Sequence, residues 1–441
     1  MDGRGRRRML RAAVAVTALT CATTSALAGG FALREQSPTA EGEAFAGVAA
    51  GVGGLSSVYW NPANITQTPG WQSTWGFSGV FPSAKITPQA GTSPLFPPFS
   101  SGDISRTALV PSSATSYQFN NWLWLGYTFD APYGLLTKAN YTWSGQMYSR
   151  TSRVYSAAVT PMAGFKVNDW LSLGAGVEAM YFSTRLTEAT SPAPAAPNAT
   201  LDGHSWGVGY TLGATVTPRS GTELGVGFRS EVSEDIKGRL VVPPAPGFGV
   251  KTNLTLPLMV TAGLSQKITD RFTLNGGYEY THWSVFNSFP VVSTAAPPFP
   301  PAGTTVTALA FRYRDGHFFS VGGDYQWDPN LTLRAGLGYE ISPITDATRS
   351  TRLPDTDRVW ATIGASYQIN SWIRLNASYA HIFPLGDKIN IVPGNPAFIP
   401  AAIPTSFIGK LNSSVDIISA SLDFRWDSPA APALLPFMKK P

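Results

Sequence analysis

A lopsided alternation with a period of two residues runs through most of this chain. Between 171 and 182, Leu171, Leu173, Ala175, Val177, Ala179 and Tyr181 alternate with Ser172, Gly174, Gly176, Glu178, Met180 and Phe182. Trp206, Val208, Tyr210, Leu212, Ala214 and Val216 alternate with Gly207, Gly209, Thr211, Gly213 and Thr215 in the same way. Leu331, Leu333, Ala335, Leu337 and Tyr339 do so with Thr332, Arg334, Gly336, Gly338 and Glu340. Successive side chains of a strand point to opposite faces, so each strand has one wholly apolar face and one of Gly, Thr and charge. Lipid outside and a polar lumen inside satisfy both faces, provided the sheet closes and leaves no unpaired edge. A soluble sandwich would also bury the apolar face, but it would rarely put so many aromatics at strand ends. Beyond the N-terminal leader, no segment supplies the ~18 apolar residues of a membrane helix.

The connections count the strands. Tight-turn compositions at Asn120-Asn121, Asn168-Asp169, Pro218-Arg219-Ser220-Gly221, Thr269-Asp270, Asp328-Pro329-Asn330 and Asn370-Ser371 alternate with long connections. The long ones are expected near 86–105, 144–152, 186–203, 232–254, 286–310, 343–356 and 385–412. Fourteen strands result: 71–84, 106–119, 122–142, 153–167, 170–185, 204–217, 221–231, 255–267, 271–285, 311–327, 331–342, 357–369, 372–384 and 414–426. Trp122, Trp170, Trp327, Trp372 and Trp426 fall at the short-turn end, and Trp206, Trp283 and Trp360 at the other. They predict two interfacial girdles. The fold class is all-β: a 14-stranded antiparallel transmembrane barrel over 71–426, with residues 29–70 expected as an N-terminal plug inside its lumen. The last strand ends on Trp426, and residues 427–441 form a Pro/Ala-rich tail assigned to the periplasm.

Composition agrees with a membrane barrel. Only 13% of the 441 residues are charged, against ~25% in soluble domains. The formal charge of +5 does not signal nucleic acid. Arg4, Arg6, Arg7, Arg8 and Arg11, against Asp2, belong to a leader, and removing it leaves a net charge of +1. That leader reads as a signal peptide, 1–28. It has a basic start, an apolar stretch over 12–22, and Ala26-Leu27-Ala28 as cleavage site. Met9 is an alternative start. Cys21 is the sole cysteine, so the mature chain has none, which excludes a disulfide scaffold and a cysteine-held metal. No cofactor is expected, and the location is the bacterial outer membrane.

The long loops are apolar and stiff. They include Pro94-Leu95-Phe96-Pro97-Pro98-Phe99, Val241-Val242-Pro243-Pro244, Pro297-Pro298-Phe299-Pro300 and Phe398-Ile399-Pro400. Apolar surface at a barrel mouth costs ~25 cal/mol per Å², and contiguous patches mark binding sites. A lid of mutually packed loops is the alternative. Both favour a hydrophobic small molecule over ions or sugars.

Residues 29–70 precede the first strand, rich in Gly and Ala and without barrel alternation. Gly30-Phe31-Ala32-Leu33, the stretch 42–47 and Asn61-Pro62-Ala63 resemble the hatch of the FadL/TodX family. Arg229-Ser230-Glu231-Val232, Tyr280-Thr281-His282-Trp283-Ser284 and the stretch 349–360 extend the resemblance, the last with a specific Pro-Asp-x-Asp-Arg-x-Trp pattern. It covers the chain from Gly30 to Trp426. The resemblance implies outer-membrane uptake of long-chain fatty acids or other hydrophobic compounds, with a hatch filling the lumen. It also implies that substrate passes from a loop groove to an interior pocket and leaves sideways at a kink in the third strand. Pro132 and Gly134 can supply that kink, because Pro lacks the N–H that a ladder needs. A bulge at the barrel rim is the other reading.

Strand parity nominates Arg312 and Arg314 as lumenal partners of a ligand carboxylate, with a rim salt bridge as the alternative. Asp355, Asp357 and Arg358 read as structural loop anchors, and Asn61-Pro62-Ala63 with Phe31 as hatch contacts. Aromatic or alkane hydrocarbons are alternative substrates of the same fold. A general porin would need no 42-residue hatch. A lipase lacks support: the GxSxG match at Gly203-His204-Ser205-Trp206-Gly207 opens an alternating strand and not the strand-to-helix turn of a nucleophile elbow, and His282 and His381 fall on the lipid-facing parity. The protein is expected to act as a monomer in contact with outer-membrane lipid.

Overall fold

The computed structural model describes residues 29–400 and 405–427. The signal peptide, the tail beyond Asp427 and residues 401–404 lie outside the described residues.

Fourteen antiparallel wall positions close on themselves. They are β1 (Trp71–Pro88), β2 (Ala108–Gln118), β3 (Leu123–Asp130) with β4 (Gly134–Lys138), β5 (Thr151–Lys166), β6 (Leu171–Ala189) and β7 (Asn198–Arg219). There follow β8 (Thr222–Arg229) with β9 (Val232–Val241), β10 (Phe248–Leu256) with β11 (Met259–Lys267), and β12 (Phe272–Thr281). The hairpin β13 (Ser288–Ser293) and β14 (Thr305–Ala310) lies in a long loop. The wall resumes with β15 (Gly316–Gln326), β16 (Leu331–Ile341), β17 (Arg358–Asn370) and β18 (Ile373–Pro384). After the short β19 (Lys388–Ile391), β20 (Phe407–Arg425) pairs with β1 from Gln72↔Arg425 to Pro88↔Gly409 and closes the ring. All fourteen strands expected from the alternation are present.

Burial follows parity. Trp206 and Val208 are 71% and 69% exposed, while Glu178, Met180 and Phe182 are buried. Apolar side chains outside and carboxylates inside invert a soluble protein, and lipid is the solvent that makes this stable. Trp122, Trp170, Trp327, Trp372 and Trp426 are all exposed at the short-turn end.

Several expected boundaries change. The connections expected at 186–203 and 232–254 are mostly strand, because β6, β7, β9 and β10 pair beyond the apolar band. Trp283 and Trp360 are not girdle residues. Both are buried: Trp283 starts a short 3₁₀ turn, and Trp360 faces inward to donate to Glu340 Oε2 at 3.0 Å. The strand expected over 122–142 is interrupted after Asp130. The one expected to begin at 311 begins at Gly316.

Residues 29–70 fold as α1 (Pro38–Glu41) and three 3₁₀ turns, Val48–Ala50, Gly54–Tyr59 and Pro62–Gln67. Ser37 caps α1, its Oγ accepting from Ala40 N at 3.1 Å. This segment lies against inward-facing wall residues. A Cβ on Gly225 would fall 1.8 Å from Ala49 O, and one on Gly227 1.7 Å from Trp60 O. Glycine at these positions lets the segment's backbone touch the wall.

Candidate functional site

The third wall position breaks beside the cavities. β2 pairs with β3 only over 113–118, and β4 pairs with β5 alone. No β2–β4 ladder forms among the described residues. Between the two strands lies a cavity of ≈ 530 Å³, lined by Val110 and Pro111 on one side and Leu135 and Leu136 on the other. The break occurs at Ala131-Pro132-Tyr133, where Pro has no N–H to give. The N-terminal segment takes over the freed groups. Leu33 N donates to Pro132 O at 2.8 Å and Gly134 N to Phe31 O at 2.9 Å. The Gln36 amide donates to Ala131 O at 2.8 Å. These bonds offset the cost of unpaired backbone in a barrel wall.

Toward the long loops lies an apolar cavity enclosing ≈ 880 Å³ of space, part of it open to solvent. Phe182, Phe286, Phe289, Phe311 and Leu353 line it, and Phe31 forms part of its floor. The Phe31 ring meets Trp283 at 4.9 Å and Phe286 at 5.2 Å edge-on. Leu135 and Val154 line both this cavity and the one at the wall break. Its buried polar groups are few. Arg352 pairs with Glu188 through Nη2, but its Nη1 is buried without a partner, as is Ser152 Oγ. Both residues line this cavity, and Ser152 pairs with Thr137, whose hydroxyl donates to the Arg352 backbone carbonyl at 3.0 Å. Burial lowers the Arg352 pKa, Glu188 partly opposing it.

Beneath lies a second cavity of ≈ 610 Å³ with charged walls. A chain of alternating charge crosses it. Arg34 binds Glu279 at 2.7 Å and Glu340 at 3.3 Å, Glu340 binds Arg358 at 2.9 Å, and Arg358 meets Asp355 at 3.4 Å. Asp355 also accepts from Gly30 N at 3.1 Å, so the chain ends on the N-terminal segment. Burial works against the Arg34 charge, but Glu279 and Glu340 outweigh it and raise its pKa. Burial raises the Asp355 pKa despite Arg358.

A barrel of this strand count, with an N-terminal segment against the wall and a broken third strand, has relatives. The family model described as outer membrane protein transport protein (OMPP1/FadL/TodX) matches residues 19–425. The chain belongs to this family. It is therefore an outer-membrane transport protein and not an enzyme. The long-chain fatty acid transport protein of Salmonella typhi is 27% identical over 418 residues, covering 87% of this chain and 94% of that protein. Outer membrane protein P1 of Haemophilus influenzae is 24% identical over 415 residues, covering 83% and 88%. Among solved structures, a Pseudomonas aeruginosa FadL homologue superposes with a TM-score of 0.79 at 21% identity, covering 90% of this chain and 100% of that one. The Ralstonia pickettii toluene transporter TbuX gives 0.65 at 18% identity, covering 90% and 99%.

Within this FadL/TodX-type barrel, the residues singled out from sequence fall in different places. Phe31, Pro132 and Gly134 come together at the break. Asn61 is fully buried: its Oδ1 accepts from Ala63 N at 3.0 Å, and its Nδ2 donates to Ala49 O at 2.6 Å and to wall residue Ala214 O at 3.0 Å. Pro62 follows as the first residue of its 3₁₀ turn. Asp357 Oδ1 accepts from Ser342 N at 2.8 Å, joining Asp355 and Arg358 in ordering the 343–356 loop.

Arg312 and Arg314 do not share the lumenal face. Residues 311–315 leave the ladder, and Arg312 adopts a left-handed φ of 52°. The alternation inverts there, turning Tyr313 into the apolar cavity and both arginines outward. Arg314 instead bonds Ser342 O at 2.9 Å and Asp357 at 3.0 Å, which is the rim salt bridge weighed as the alternative. Parity arguments assume an unbroken strand and could not find this. Arg352 lies within the 349–360 stretch of the resemblance, but in a loop without periodicity nothing marks it as a cavity residue. The specific motif lies two residues after it, at 354–360.

Proposed function

We propose that this protein takes up long-chain fatty acids, or similar molecules with one carboxylate and a long apolar body. They enter the ≈ 880 Å³ cavity from the loop side and leave sideways through the wall at 131–133. Residues 29–70 act as a hatch that blocks the straight path. The break between β2 and β4 carries the reading, because it opens the wall beside the apolar cavity. A chain of about 16 carbons loses ~0.8 kcal/mol for every CH₂ exposed to water, so exit into lipid avoids a penalty of order 10 kcal/mol. Exposed Leu95 and Phe99 on the first long loop supply an apolar landing surface, while Phe96 packs inward against Tyr148.

The relatives' names cover both fatty acids and toluene. The buried, unpartnered Arg352 Nη1 and Ser152 Oγ favour a carboxylate, since a neutral hydrocarbon would leave both unsatisfied. Replacing residues 132–134 with Val-Thr-Val should let the ladder close. Ligand binding should persist in detergent while delivery into reconstituted membranes falls at least ten-fold. Delivery at the original rate would rule out the lateral route.

A further inference from the structure

We propose that the outward face of β5, β6, β7, β9 and β10, just above the apolar band, is a binding site for the phosphate groups of an outer-leaflet glycolipid. The basic side chains of this surface alternate with the inward-facing residues of their strands, and Asp202 and Lys251 also border the apolar cavity.

The observation is a run of cross-strand basic neighbours. Arg153 lies directly opposite Arg185, and Lys237 directly opposite Lys251. Arg239 lies opposite Asp202, which in turn is opposite Arg185. All five basic side chains are exposed. None forms an ion pair among the described residues. Asp202 is the acid on this row, and Asp235 one step lower is taken up by Asn253 at 2.7 Å. Like charges placed directly opposite on adjacent strands are destabilising. The two like-charge pairs flank β7 on either side, with Asp202 between Arg185 and Arg239, and a multivalent anion would relieve the excess positive charge.

Height selects the anion. Residues 206–216 of β7 span roughly 25 Å at ~3.3 Å per residue and ~40° tilt, which fills the apolar band of an outer-membrane barrel. The outward side chains of that stretch are apolar, beginning with Trp206 against Tyr181 at 5.4 Å. His204 and Asp202 come next above it, level with Lys237 and Arg239. The basic rows thus begin where the aromatic girdle ends, at the depth of lipid headgroups. Farther round the barrel the outward charges are arranged differently. His381 pairs with Asp416 at 2.7 Å and Tyr280 with Asp315 at 2.8 Å, while exposed Lys85 faces Asn412 and Asp103 and Arg312 lies outside the ladder, so neither has a basic residue directly opposite. Arginine and lysine in this density suit phosphate monoesters, with the apolar wall beneath meeting the acyl chains.

The test uses the full-length protein in nonionic detergent. The probes are an acylated glucosamine disaccharide bearing two phosphates (lipid A), the same lipid with both phosphates removed, and inorganic phosphate. The wild type should bind the phosphorylated lipid at least ten-fold more tightly than the dephosphorylated one, and this preference should weaken as salt rises. The combination R153Q, R185Q, K237Q and K251Q should remove that preference, and the lipid should no longer raise its Tm. K166Q with K267Q, at the short-turn end, should behave as wild type. Should the four-fold variant fail to assemble, K237Q with K251Q alone should lose at least three-fold in affinity. Equal binding of both lipids, or unchanged binding by either basic-patch variant, would overturn the proposal. So would displacement of the lipid by an equimolar amount of inorganic phosphate, which would mark a site for free anions.

Discussion

The two interior chambers are lined by opposite chemistry, although the same fourteen strands enclose both. The upper one is walled by phenylalanines and leucines, with Arg352 as its one buried cation. The lower one holds the chain Glu279–Arg34–Glu340–Arg358–Asp355. The difference is between holding and being held. An apolar wall accepts any hydrophobic body without fixed geometry, whereas a buried ion-pair chain tolerates one arrangement and leaves a large penalty when a member is lost. The lower chamber ties residues 29–34 to the wall and the 343–356 loop, and in the proposed function the upper chamber takes the ligand. Phe31 separates them.

That contrast can be broken from below. Glu340→Gln would leave Arg34 and Arg358 buried without their shared partner, a loss of about 3–5 kcal/mol. Hydrogen exchange over residues 29–36 should rise accordingly, while barrel strands far from the site stay protected. Unchanged exchange would mean that the ion chain does not fasten the segment.

A second probe is pH. Glu41 is buried, with Ser378 and Ser419 hydroxyls as donors, and burial pushes its pKa up to about 8. A released segment would return it to the ordinary carboxylate value near 4.5. The seated form therefore holds its proton more tightly, and seating is strongest below about pH 4.5. It weakens as pH rises to about 8 and is then level. At ~1.4 kcal/mol per unit the change is on the order of a few kcal/mol. Glu41→Gln should flatten this dependence and slow exchange around α1 at pH 9. A profile identical to wild type would show that Glu41 ionises freely in place.

The upper chamber is sharpened by Arg352→Ala. Loss of a charge-assisted bond costs ~1.5–3 kcal/mol, so fatty acid affinity should fall roughly ten-fold or more with toluene affinity unchanged. Equal losses for both would assign Arg352 a packing role with Glu188. The smallest effect is expected of Arg314→Ala. Its pair with Asp357 is well exposed, and such pairs contribute ~0–1 kcal/mol, so ligand affinity should not change measurably. A ten-fold loss there would return the carboxylate to the rim.

The wall was legible because lipid imposes a rule on each residue separately. Leu171 to Phe182 could be assigned outward and inward one by one, and Asn120, Asn168 and Asn370 announced their turns, where each side-chain oxygen accepts from the backbone N–H groups two and three residues on. The break at Pro132 was legible too, since a missing N–H is a property of the residue itself. Trp283 and Trp360 misled because an aromatic near a strand end satisfies a girdle and a core equally well by position alone.

What sequence alone determined, then, is the closed fourteen-stranded wall, its lipid-facing side and the point where it breaks. Each depends on a period-two pattern or a local covalent constraint that no distant contact can override. Tertiary structure alone decided which groups meet inside. Gly30 lies 325 residues from Asp355, and Arg34 306 from Glu340, yet both pairs fasten the interior. One left-handed residue, Arg312, reversed the facing of its neighbours. Lumenal chemistry is assembled from side chains on many strands and loops, so it has no period, and only closure of the barrel brings it together.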